Sequence, residues 1–122
     1  MASPSTNSTA MTKISGGNIA DQLTPAGQRA GADSGDPQLR TLVAEHQAQG
    51  NIGFWECQPG GWPVVDRQDT EVAYILSGAG TISDDATDIT YDIVAGDLLV
   101  LPVGWSGRWD ISETVTKVYV IY

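Results

Sequence analysis

Basic residues, histidine and cysteine are all scarce in this chain of 122 residues, which has six lysines and arginines, one histidine and one cysteine. The lone Cys57 excludes an intrachain disulfide and fits a reducing compartment. With only His46 beside it, no zinc-finger spacing and no nucleophile triad can be assembled. Fifteen acidic residues against those six bases give a net charge of −9. That field repels phosphate backbones and anionic lipid, so nucleic acid and membrane surfaces are excluded as partners. No apolar run approaches a membrane span, and no basic segment followed by an apolar stretch opens the chain. The expectation is a cytoplasmic protein of one domain, long enough to bury a core without staples.

Taken in order, residues 1–12 are small and polar and read as a disordered leader. Residues 13–38, rich in Gly, Ala, Asp and Pro, form an N-terminal arm with a short strand expected at Lys13 to Ile19 and loop elsewhere. Leu39 to Gln47 is ambiguous, with a composition that favours helix and a Leu39, Thr41, Val43 alternation that is poor for a strand. From Gly50 onward the pattern is β. Strands are expected at Ile52 to Gln58, Trp62 to Val65, Val72 to Leu76, Thr81 to Ser83 and Ile89 to Ile93, with glycine and proline turns between them. A fully buried strand follows at Leu98 to Leu101, then strands at Arg108 to Ile111 and Thr116 to Tyr122. Many short strands with Gly and Pro turns mean a sandwich or barrel, so the fold class is all-β.

Glu71 is followed after six residues by Gly78, and Gly96-Asp97 leads through an apolar run to Pro102-Val103-Gly104. These spacings resemble the two signature motifs of the cupins. A closer likeness runs through Gly53-Phe54-Trp55-Glu56-Cys57-Gln58-Pro59-Gly60, Glu71 to Gly78, Gly104 to Trp109, and Val115 to Ile121. Together these resemble the small single-domain branch related to the cupin domains of ureidoglycine aminohydrolase and of ethanolamine-utilisation proteins. The resemblance implies a double-stranded β-helix, a jelly-roll-like barrel, over residues 39–122, with Leu39 to Gln47 as an early barrel strand. It also implies a homodimer joined through edge strands and an exchanged arm, with residues 13–20 as the swapped piece.

Full cupin motifs supply three histidines and one glutamate to a metal. Here only Glu71 survives: Val64 to Asp69 stands where two of the histidines would lie, and Gly107 where the third would. A transition-metal site needs several converging ligands, so no metal and no cofactor are expected. Asp66, Gln68, Asp69 and Glu71 leave a hard-cation site open as an alternative to a solvated acidic loop.

Two readings stand for Glu71: a general acid or base at the barrel mouth, or a structural carboxylate pairing with Lys117 or Arg67. Lys117, inside the apolar run VTKVYVIY, either faces the cavity or snorkels outward. Glu71 and Lys117 are the catalytic candidates. Trp62, Arg67, Tyr74, Trp105, Trp109 and Tyr119 are the candidate substrate-binding residues. Trp62 and Trp105 are placed at the mouth or a dimer surface, Trp55 in the core, and Cys57 as a small core hydrophobe. The function expected is acid/base chemistry on a small polar metabolite, by isomerisation, elimination or cyclisation. The alternative is a non-catalytic small-molecule-binding or scaffold cupin.

Overall fold

The computed structural model describes residues 9–122, so residues 1–8 of the expected leader lie outside the described residues. Nine strands follow in order: β1 Thr24–Gln28, β2 Ser34–Gly35, β3 Gln38–Val43, β4 Asn51–Cys57, β5 Gly60–Val64, β6 Glu71–Asp84, β7 Ile89–Val94, β8 Leu98–Leu101 and β9 Gly107–Ile121. Every pairing is antiparallel. The two long strands, β6 and β9, run side by side and carry the sheet round on itself. Their first and last halves belong to different layers. One layer orders as β1, β3, β4, the end of β9, the start of β6, and β8; the other as β2, β5, the start of β9, the end of β6, and β7. This is the curled barrel expected from the sequence.

The bend between layers sits at Gly78. Its φ of +93° is a conformation that L side chains rarely adopt, and a Cβ there would stand 2.6 Å from the Cα of Val115. The register of β6 against β9 shifts on both sides of this glycine, between Ile75 and Gly80. Two expected pairs of short strands are therefore single long ones.

Alternation decides which side chains enter the barrel. Ala73, Ile75 and Ile82 of β6 and Trp109, Ile111 and Val115 of β9 are buried, along with Cys57, Trp62, Ile93 and Leu101. The outer face of the first layer is also apolar but uncovered. Leu98 and Val100 of β8 are 65% and 60% exposed, so the strand expected to be fully buried is buried only on its inner side. A four-residue apolar run does not by itself say whether a second layer covers it.

The arm differs most from expectation. No strand forms at Lys13 to Ile19; a 3-10 turn spans Gly16–Asn18 and a short helix, α1, spans Ile19–Gln22. Gly16-Gly17 offers a strand no side chains to pack, and the Gln22 amide instead bonds Ser15 O and Asn18 Oδ1, both at 2.8 Å. The arm's strands come later: β1 pairs with β3, and β2 with β5. The strand expected over Leu39 to Gln47 ends at Val43, and His46 lies in the loop beyond it.

Candidate functional site

Glu71 opens β6, and the loop before it is pinned from two sides. Arg67 N–H donates to Trp105 O at 2.9 Å, and Gly104 N–H donates to Arg67 O at 2.7 Å. Thr70 and Tyr122 exchange both backbone hydrogen bonds, at 2.8 and 3.0 Å, closing the end of the barrel around Glu71. Arg67 Nε donates to Asp69 O at 3.0 Å, which aims the guanidinium so that Nη1 lies 3.2 Å from Glu71 Oε1.

Lys117 meets Glu71 from the opposite wall. It sits on β9 two residues from Val115, so alternation turns it inward, and Nζ lies 2.6 Å from Glu71 Oε2. Both side chains are almost wholly buried, at 8% and 5% exposure. Both of the structural pairings foreseen for Glu71, with Lys117 and with Arg67, are thus present at once. The Lys117 ammonium also lies 4.2 Å from the Trp55 ring centroid and 4.6 Å from that of Trp109. Glu71 Oε2, although buried beside this cation, receives no well-directed hydrogen bond.

The tryptophans form a wall. Trp62 and Trp109, cross-strand partners on β5 and β9, stack with centroids 5.9 Å apart and planes 10° apart. Trp55 meets each edge-on at 6.0 Å. Trp62 is buried behind this wall rather than at the mouth, and Trp55, expected in the core, packs against it while remaining half-buried beside Lys117. Tyr119 continues the inward row of β9, and Gly53 opposite makes room for its ring: a Cβ at 53 would stand 2.8 Å from the phenol oxygen.

Burial pushes the Lys117 ammonium below its usual range, and the Glu71 carboxylate opposes that shift. Tyr119 is raised, first by burial and then by the charge of Glu71. Burial also raises the Cys57 thiol to about 11, against the pull of Lys117 and Arg29. Cys57 is therefore a core thiol at neutral pH, its Sγ 3.3 Å from Gln58 O.

Glu71, Lys117, Arg67, Trp109 and Tyr119 converge, with Trp62 stacked behind them. Two candidates do not join. Tyr74 lies on the outward row of β6, 43% exposed, because Glu71, Ala73 and Ile75 take the inward positions. Trp105 is buried at the far side of its turn, its Nε1 donating to Asp84 Oδ1 at 3.2 Å. One participant was missed. Arg29, at the end of the arm's first strand, holds its guanidinium 5.0 Å from the Trp62 centroid. Nothing in the local sequence GQRAG marks it.

The donor set does not fit the metal that cupins of full motif hold. The one carboxylate is bracketed by two cations, and at Gly107 a Cβ would overlap the Ser83 carbonyl and the Trp105 ring. Among the described residues no three His, Cys, Asp or Glu side chains converge, so Asp66 and Asp69 do not join Glu71 in a hard-cation cage. A separate cleft of about 530 Å³ opens between β7 and β8, lined by Ile82, Ile93, Leu99, Leu101 and Trp105. Its charged residues, Asp84, Asp92 and Asp97, are all acids. No helix among the described residues is long and apolar enough to cross a membrane.

The profile of the EutQ-like cupin domain matches residues 44–119. Solved structures with this fold include a putative ethanolamine utilization protein Q from Salmonella typhimurium, with 20% identity and a TM-score of 0.64 over 82% of this chain and 93% of that one. The polyketide cyclase RemF from Streptomyces resistomycificus is 14% identical, with a TM-score of 0.66 over 91% of this chain and 78% of that one. A DUF861 family protein from Thermotoga maritima reaches 29% identity over 57% of this chain and 76% of that one, with a TM-score of 0.52. No curated protein sequence matches the chain.

Proposed function

The chain belongs to the EutQ-like cupin family, and from that premise we propose that it moves protons on a small carbonyl metabolite without a metal. Glu71 is the acid/base and Lys117 its electrostatic partner. The observation that carries this reading is the buried contact between Glu71 Oε2 and Lys117 Nζ at 2.6 Å, with that oxygen still lacking a directed donor. A carboxylate so placed takes a proton from the carbon beside a carbonyl. The C–H electron pair moves onto the carbonyl oxygen, where the fixed Lys117 charge stabilises the enolate. Returning the proton to a different carbon gives isomerisation; expelling a β-substituent gives elimination; attack of the enolate carbon on a second carbonyl gives cyclisation. Trp55 and Trp109 flank the Lys117 ammonium, and the near-complete burial of Glu71 and Lys117 limits water at the reacting centre.

The test is solvent exchange. Pyruvate, 2-oxoglutarate and dihydroxyacetone are incubated in D₂O with the protein, and loss of the proton signals beside the carbonyl is followed by NMR. At least one exchanges faster than in buffer, Glu71→Gln slows that rate by about 10²-fold or more, and dialysis against EDTA leaves it unchanged. Exchange that survives Glu71→Gln removes Glu71 from the mechanism. Exchange lost to EDTA and restored by zinc or manganese removes the metal-free chemistry.

The working unit in this reading is a homodimer in which a second copy covers the outer face of the first layer. There Leu98 and Val100 of β8 stand beside Tyr74 and Val72 of β6, and Val118 and Phe54 continue the face across β9 and β4. In a chain of net charge −9 this apolar patch, bordered by the neutral Arg40–Glu56 pair, lets two copies meet without setting acid against acid. Light scattering on a sizing column gives twice the chain mass, and Leu98→Asp gives the monomer. A wild-type monomer ends this proposal.

A further inference from the structure

Resting on the acid/base reading above, we infer that the site takes a small carboxylate anion and that Arg29 is its anchor. The distribution of positive charge leads there. Of the six basic residues, Arg40 is bound to Glu56 through two bonds of 2.8 and 2.9 Å. Arg108 is bound to Asp33 through two bonds of 2.8 Å and to Asp110 as well. Lys13 lies exposed before the first turn. Of the other three, Arg67 and Lys117 pair with Glu71 at 3.2 and 2.6 Å, and Arg29 lies over Trp62 within the field of the same carboxylate. The charge of Glu71 favours the cationic form of both Arg29 and Lys117, and each of the two feels Arg67 as a repulsive neighbour. Three cations thus share the field of one buried carboxylate, in a molecule otherwise strongly acidic. Gathering like charges in a half-buried site is unfavourable unless an anion completes it.

Arg29 is the member with capacity to spare. Arg67 spends Nη1 on Glu71 and Nε on Asp69, and Lys117 spends its charge on the same carboxylate. Arg29 makes one side-chain hydrogen bond, from Nη1 to its neighbour Ala30 O, and no ion pair among the described residues. The rest of its donor fork has no partner among the described residues. A planar fork of N–H donors matches a carboxylate two-to-two, a fit that a lysine at the same place cannot give.

Its position is fixed from the backbone. Arg29 N–H donates to Pro37 O at 2.8 Å and Arg29 O accepts from Ala32 at 3.2 Å, so the arm's turn is closed on both sides of it. The guanidinium is half-buried over Trp62, whose ring stacks on Trp109, and Trp109 in turn lies under Lys117. One aromatic stack thus carries Arg29 on one ring and the Lys117 ammonium on the next. In the proposed complex the substrate carboxylate lies on Arg29 and its carbonyl end extends along the stack to Glu71 and Lys117. Arg29 also lies outside residues 44–119, the span that matches the family profile. The anchor is supplied by this chain's own arm.

Tryptophan fluorescence reads the site directly, since Trp55, Trp62 and Trp109 form it. The probes are pyruvate and succinate, with pyruvamide and succinamide as neutral counterparts, inorganic phosphate as a second anion, and sodium chloride holding ionic strength constant. The carboxylates change the emission saturably and bind at least about tenfold more tightly than their amides. Arg29→Gln weakens carboxylate binding about tenfold or more with its thermal midpoint little changed, and Arg29→Lys recovers only part. Glu71→Gln binds carboxylates as well as wild type or better while losing solvent exchange, so failure of the anchor and failure of the base are read separately. Equal binding of acids and amides, tighter binding of phosphate, unchanged binding in Arg29→Gln, or no saturable response to either carboxylate overturns the assignment.

Discussion

Glu71→Gln lowers the folding free energy by about 3 kcal/mol at neutral pH, and adding Lys117→Met restores most of that loss. The substitution keeps the volume of the side chain and removes only its charge. Lys117, 8% exposed and held between Trp55 and Trp109, then has no counter-charge, while Arg67 and Arg29 remain nearby with the same sign. Breaking one side of a buried ion pair costs more than replacing both sides with neutral groups, because the orphaned ion keeps its desolvation penalty. Lys117→Met alone costs less than Glu71→Gln, since Glu71 still has Arg67 at 3.2 Å. Urea midpoints at constant m-value for the four proteins give the coupling. Additive losses would mean the pair is hydrated and not the buried unit described above.

The same pair sets a pH signature. Burial holds the folded pKa of Lys117 below its ordinary 10.5, so between the two values the unfolded chain binds more protons. Stability therefore rises with pH through that interval. Cys57 works the other way: raised from 9.0 to about 11, it keeps its proton in the fold after the unfolded chain has lost it. Its contribution is complete below pH 9 and lost as pH climbs to 11. Without Glu71 to oppose desolvation, the Lys117 interval extends further down. Between neutrality and about pH 9, where Cys57 begins to act, Glu71→Gln gains stability more steeply than wild type. Parallel slopes would show that Lys117 escapes to solvent.

Much of this was legible because glycine and alternation carry geometric information. The six residues between Glu71 and Gly78 mark the length of strand before the barrel must bend, and the bend falls at that glycine. Once Glu71 is inward, period two sends Ala73 and Ile75 in and Tyr74 out, so the outward place of Tyr74 was available from the same strand. The arm was not legible. Its strand β1 reads TPAGQ, with a proline, a glycine and no β-branched side chain after Thr24. It is extended because the edge of β3 is open to it, a tertiary cause that propensity does not report. Arg29 goes unnoticed for the same reason, since only the folded arm brings it over Trp62. Trp62 and Trp105 each follow glycine or sit beside one, which suggests a turn and hence exposure. Register overrode that: Trp62 is opposite Trp109, and Trp105 turns back over Gly107.

Restoring the missing ligand by Gly107→His destabilises the fold by about 3 kcal/mol or more and recruits no stoichiometric zinc. Position 107 opens β9, paired with Val64 on one side and Asp84 on the other, so its backbone cannot move without breaking two ladders. A Cβ added there overlaps the carbonyl oxygen of Ser83, which is main chain, and the ring of Trp105. The ring cannot swing clear cheaply, because it is buried and its Nε1 is bonded to Asp84 Oδ1. Trp105 thus fills the room that an imidazole would need, and its loss with the glycine kept leaves a core cavity instead of a ligand site. A metal site would also need Glu71, which is already held by Arg67 and Lys117, whose charges oppose a divalent ion. Thermal midpoints and elemental analysis of Gly107→His and of Gly107→His/Trp105→Ala separate the two causes. The double variant regains stability relative to the single one if the ring is the obstacle, and stays free of zinc if the cations are. Tight stoichiometric zinc in either would show that the loss of this ligand, and not the two cations around Glu71, is what keeps a metal out.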